Sequence, residues 1–116
     1  NAEHLKAHHE SFFLNIREKN PDLPVIMATK TDIPRSPAAE KSNAAHRAVV
    51  YETYENAVKR GDRNVIFIDG ATVFSKALTL SAPADSCTVD GCHPNDLGFA
   101  CMAKVFGDAI EKMLGL

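Results

Sequence analysis

Leu5, His9, Phe12, Phe13 and Ile16 recur along residues 3–20 at the three- and four-residue spacing of one helix face, with Glu, Lys and Arg opposite, so the stretch predicts an amphipathic helix. Pro21 and Pro24 end that pattern. The run from Pro24 to Ala28, with Val25, Ile26 and Met27, is apolar, short and without polar alternation, which predicts a strand covered on both faces. Residues 29–41 carry Thr29, Thr31, Asp32, Ser36, Pro34 and Pro37, the composition of an irregular loop beyond the strand's carboxyl end. Ser42 is the expected cap of a second helix that runs to Arg60, with Val50, Tyr54, Ala57 and Val58 on the buried side and Gly61 as its left-handed terminator. Val65 to Ile68 predicts a second strand, and a short helical piece is expected over residues 71–77. Residues 81–94 are rich in Pro, Ser, Asp and Gly and are long for a connection. In the last segment Met102, Val105, Phe106, Ala109, Ile110 and Met113 make a continuous helical stripe, preceded by the capping pair Asn95-Asp96 and followed by Gly115.

Helix, strand, helix, strand in alternation implies a parallel α/β sheet. Two strands present two edges and cannot cover the apolar faces of three substantial helices, and parallel sheets ordinarily hold about five strands or more. The expectation is that residues 1–116 form the carboxyl-terminal portion of a single doubly wound domain whose other strands lie upstream or on another chain. No repeat, low-complexity tract or linker divides the chain.

Composition narrows the partners. With 116 residues, 45% hydrophobic and 24% charged, the chain fits one globular domain. Its 13 Lys and Arg against 15 Asp and Glu, without a run of like charge, lack the footprint of a nucleic-acid binder. No apolar stretch approaches the roughly 18 residues of a membrane span. His4 and His8 stand at a spacing that can hold zinc, but no third ligand is local and the His-Glu-x-x-His order is absent, so they read as a solvated helix face; neither a metal nor a cofactor is expected. Three cysteines are too few for a disulfide framework. Cys87 and Cys92 are either free or bridged across the loop between them, which would leave Cys101 unpaired against the sheet. Lys30 and Arg35 stand where ligands gather on parallel sheets, although solvent-facing charge is the commoner fate of such residues.

The chemistry concentrates in Asp90-Gly91-Cys92-His93-Pro94. A carboxylate and an imidazole three residues apart on one tight turn can face each other, Gly91 easing the turn and Pro94 biasing His93 toward extended backbone. Asp90 would then accept the Nδ1 proton and leave Nε2 of His93 outward as a general base. Cys92, beside His93, reads as a small apolar group rather than a nucleophile.

The spacing alone is a weak signal. The wider string, Asp90-Gly91-Cys92-His93-Pro94-Asn95-Asp96-Leu97-Gly98 followed by a long amphipathic terminal helix, resembles the final motif block of the SGNH, or GDSL-type, esterases and acylhydrolases. The resemblance implies a flavodoxin-like three-layer α/β/α sandwich with a parallel sheet. It also implies that Asp90 and His93 are the orienting acid and the general base of a Ser-His-Asp triad acting on a small ester or an acylated carbohydrate. That family places its nucleophile in a Gly-Asp-Ser motif, and none of Ser11, Ser36, Ser42, Ser75, Ser81 or Ser86 has that context; the family's oxyanion-hole Gly and Asn are missing as well. The implied partner is therefore an amino-terminal segment or chain that carries the serine. Asn95 and Asp96 are explained by helix capping. A non-catalytic α/β binding module with a structural Asp-x-x-His loop is the competing reading. The compartment is left open, leaning to an extracytoplasmic one.

Overall fold

The structure, a computed structural model, describes residues 1–77 and 84–116. The Asn1 side chain accepts the His4 N–H at 2.9 Å and starts helix α1, Ala2–Lys19. Its buried anchor is Phe13, and Leu5, His9 and Ile16 are half-buried beside it. Phe12, expected on the same face, is 66% exposed. Neighbouring helical residues point about 100° apart, so only one of the two phenyl rings can meet the sheet.

Strand β1 is Val25–Ala28 and helix α2 is Pro37–Lys59. The helix begins well before Ser42: the Ser36 hydroxyl accepts the Ala39 N–H at 3.1 Å, and Pro37 occupies the first turn, where a missing N–H leaves nothing unsatisfied. A proline expected to mark loop thus marks a helix start, and the loop after β1 shortens to residues 29–36. Val49, Val50, Thr53 and Ala57 form the buried side of α2, whereas Val58, expected there, is exposed. Gly61 follows the helix at φ +90°, as its terminating role requires.

Strand β2, Val65–Ile68, pairs with β1 in parallel, Val25 opposite Val65 and Ala28 opposite Ile68. Alternation along both strands then builds two cores. Val25, Met27, Val65 and Phe67 face α1 and α2 and pack with Phe13, Val50, Tyr54 and Ala57. Ile26, Ile66 and Ile68 face the other side, where they meet Val73 and Phe74 of helix α3, Val73–Ala77, and Cys101, Met102, Val105, Phe106 and Ala109 of helix α4, Asp96–Leu114. These are the layers of an α/β/α sandwich, and they explain why both strands are apolar without alternation. Asn95 caps α4 by accepting the Gly98 N–H at 3.0 Å, and Gly115 closes it at φ +68°, as expected. Ile110, expected in the stripe, is exposed.

One residue fastens the bottom of the α1 layer. Arg17 pairs with Asp62 at 2.8 Å, and its guanidinium donates to the carbonyls of Asn20, Pro21 and Leu23 at 3.1, 3.1 and 2.6 Å. The fixed fork of donors holds the α1–β1 connection against the one that leads into β2. Of the long loop expected over residues 81–94, residues 81–83 lie outside the described part.

Candidate active site

The turn that carries Asp90 and His93 is built between a short 3-10 turn, Ala84–Cys87, and the start of α4. Thr88 and Pro94 form an isolated antiparallel bridge, the Val89 N–H donates to the His93 carbonyl at 2.9 Å, and the Asn95 N–H donates to the Cys87 carbonyl at 3.0 Å. Within this clasp Gly91 takes φ +90°, a conformation that side-chain-bearing residues rarely adopt, and its N–H donates to the Thr88 hydroxyl at 2.9 Å.

Asp90 holds the turn with both oxygens. Oδ1 accepts the backbone N–H groups of Cys92 and His93 at 2.9 and 2.8 Å. Oδ2 lies 2.7 Å from His93 Nδ1. The His93 backbone N–H, then its ring, then the Cys92 N–H hold the Asp90 carboxyl well below the usual carboxylate range. An acceptor that stays ionised fixes the neighbouring imidazole with its proton on Nδ1 and its lone pair on Nε2. The His93 side chain is 77% exposed, so that lone pair is open to an incoming group. The two sequence-predicted site residues are thus brought together, on one turn, with the ring nitrogen that Asp90 does not hold facing outward.

The loop leaving β1 buttresses this turn. The Ile33 N–H donates to the Gly91 carbonyl at 2.8 Å, and the Arg35 side chain lies across the open face of Gly91. Lys30 bonds Asp32 at 2.7 Å and also reaches Cys92; the Asp32 contact first, then the Cys92 contact, raise the Lys30 pKa. Asn43 of α2 donates to Asp32 at 2.8 Å. Lys30 and Asp32 also line a cleft of about 820 Å³ at the carboxyl end of β1, together with His9, His46 and Arg47. Of the two basic residues placed there by sequence, Lys30 faces the cleft and Arg35 covers the turn. Sequence reasoning missed this buttress, and no local signal for it exists, because its partners are about 60 residues apart in the chain.

Three of the described serines use their hydroxyls structurally. Ser11 donates to the His8 carbonyl at 2.9 Å, Ser36 caps α2, and Ser75 donates to the Thr72 carbonyl at 3.1 Å. Ser81 lies outside the described residues. The His8 ring bonds the His4 carbonyl at 2.8 Å, and His9, half-buried, meets the Thr53 hydroxyl at 2.8 Å. All three cysteines are free in the structure, the first of the two readings open from sequence: Cys87 faces Cys101 at 3.9 Å between sulfurs, while Cys92 contacts Lys30. Cys101 stands four residues before Val105 of the apolar stripe of α4, the spacing of one helix face, which was the readable sign of its burial.

The model of the GDSL-like lipase/acylhydrolase family matches residues 1–111. Among solved structures, a protein from Bacteroides ovatus ATCC 8483 described as a GDSL-like lipase is 27% identical with a TM-score of 0.79, over 99% of this chain and 33% of that one. The salicylyl-acyltransferase SsfX3 from a tetracycline biosynthetic pathway is 25% identical with a TM-score of 0.66, over 89% of this chain and 30% of that one. The chain therefore spans about a third of the length of these relatives. No curated protein matches it.

Proposed function

Because the chain belongs to the GDSL-like lipase/acylhydrolase family, we propose that it supplies the acid and the base of a Ser-His-Asp triad that cleaves a small ester or an acylated carbohydrate. The serine comes from a segment or chain outside these 116 residues. The observation that carries this reading is the 2.7 Å contact of His93 Nδ1 with Asp90 Oδ2 on an exposed turn.

With its Nδ1–H given to Asp90, His93 takes the hydroxyl proton at Nε2 as the seryl oxygen attacks the ester carbonyl. N–H donors outside this chain hold the developing oxyanion. The proton returns to the departing alkoxide, and a second nucleophile repeats the cycle on the acyl-enzyme. Asp90, kept ionised by its backbone donors, offsets the imidazolium charge in both halves. Water as the second nucleophile gives a hydrolase. An alcohol would give acyl transfer, the chemistry named for one of the structural relatives.

The test uses the full-length protein and p-nitrophenyl acetate. His93→Ala is expected to lower turnover by about a thousandfold or more with the fold intact by circular dichroism, because the side chain works on an exposed turn. Equal turnover by mutant and parent rejects the esterase reading and favours the non-catalytic module. Residues 1–116 alone are expected to match the buffer rate. Turnover by them that a serine reagent abolishes would place the nucleophile among their own serines.

A further inference from the structure

Cys87 and Cys101 are separated in sequence by the whole of the Asp90–His93 turn, yet their sulfurs lie 3.9 Å apart and the residues are 0% and 4% exposed. Both backbones are already fixed in that relation. The Cys87 carbonyl accepts the Asn95 N–H at 3.0 Å, and Gly98 backs directly onto the same carbonyl, one turn of α4 before Cys101. A disulfide needs the sulfurs to close from 3.9 Å to about 2.0 Å. Two packed thiols need no such juxtaposition, since either cysteine alone would fill its site as a small apolar group.

We propose that Cys87 and Cys101 form a redox-linked cross-link that fastens the turn bearing Asp90 and His93 to α4. The oxidant is a small-molecule disulfide. One cysteine thiolate attacks it and expels a thiol, forming a mixed disulfide; the second cysteine thiolate attacks that bond at the protein sulfur and expels the other thiol. The two cysteines lose two electrons and two protons, and the small disulfide gains them as two thiols. Burial, and then the contact with Cys101, push the Cys87 thiol up to about 11, so in the closed fold it is protonated at neutral pH. The exchange therefore runs while the segment is open, as it is during folding, and the finished link is then sealed from reductant. Closing the ring between residues 87 and 101 removes freedom from the opened chain and narrows the excursions of the turn. Cys92 takes no part, because its thiol lies against Lys30.

The protein is refolded in glutathione buffers from fully reduced to fully oxidised, alkylated with N-ethylmaleimide, digested and mapped by mass spectrometry. The expected product of the oxidised arm is a peptide linking Cys87 to Cys101 with Cys92 alkylated, accompanied by a rise in Tm of about 5 °C or more. Cys92→Ser should retain both results and Cys101→Ala should lose both. A link that includes Cys92, alkylation of all three thiols at every ratio, or a Cys87–Cys101 link without a change in Tm overturns the proposal. None of these measurements requires turnover, so failure here leaves the esterase reading standing, and the reverse.

Discussion

Ile33 and Gly91 are joined by one backbone hydrogen bond of 2.8 Å, and through it the hydrophobic core sets the position of the Asp90–His93 turn. Ile33 packs against the core cluster of Ile68, Val73, Phe74, Cys87 and Cys101, and its backbone N–H donates to the turn. The imidazole is thus displayed on an exposed tip whose base is anchored to two layers of the sandwich.

Gly91→Ala tests that anchor. A side chain at φ +90° is strained, and its Cβ would run into the Arg35 side chain. The expected loss is about 1–3 kcal/mol, read as a fall of several degrees in Tm. Because Arg35 is flexible and the backbone is not, adding Arg35→Ala should recover only the steric part. Full recovery would show that positive φ costs nothing at this turn.

Asp90 should titrate below the ordinary aspartate value of about 3.9. Its folded pKa is depressed by the two backbone N–H donors and the imidazole, so its contribution to the turn is complete above that ordinary value. It is lost only as pH falls through the lower folded value. A carboxyl-carbon NMR titration of the protein checks this, and a midpoint at or above 3.9 would mean that the turn is not closed in solution.

His9 predicts a loss in the same direction, toward low pH, but in a higher pH window. Burial lowers its folded pKa, so above its ordinary value of 6.5 the ring is neutral in both states and its bond to Thr53 is intact. Below that value the unfolded chain takes up a proton that the folded chain resists, and stability declines as pH falls. Urea midpoints should therefore drop between pH 7.5 and 5.5, and the drop should shrink in His9→Gln. The same slope in mutant and parent would assign it to other histidines.

Gly98→Ala should be among the most damaging single changes to the site. Its Cβ would press on the Cys87 carbonyl, which is backbone already engaged with Asn95 and cannot swing aside. A loss of about 2–4 kcal/mol is expected from urea unfolding, together with faster hydrogen exchange at Asn95 and Gly91. Near-neutral behaviour would mean that the loop and α4 are less closely packed than the structure has them.

The sequence by itself determined the elements and the local chemistry. Since backbone periodicity is a local property, proline breaks, short apolar runs and the stripe along α4 located the four α-helices and both strands among the described residues, though not the 3-10 turn Ala84–Cys87. Asp90 and His93 were legible for the same reason: three residues on one turn bring their own partners into reach. Even here local signals were ambiguous, as Pro37 showed by starting a helix rather than prolonging a loop, because a proline's meaning depends on which N–H groups its neighbours need. Phe12, Val58 and Ile110 lie on stripes wide enough to bury them, and only the placement of α1, α2 and α4 on the sheet decided that they stay exposed. Tertiary structure alone decided the rest. It set Ile33 on Gly91, Arg35 over the turn, Lys30 beside Cys92, and Cys87 against Cys101 rather than Cys92. Each of these joins segments whose meeting depends on parallel pairing of β1 with β2 and on α4 folding back across them, and no pattern within one segment encodes the distance to another.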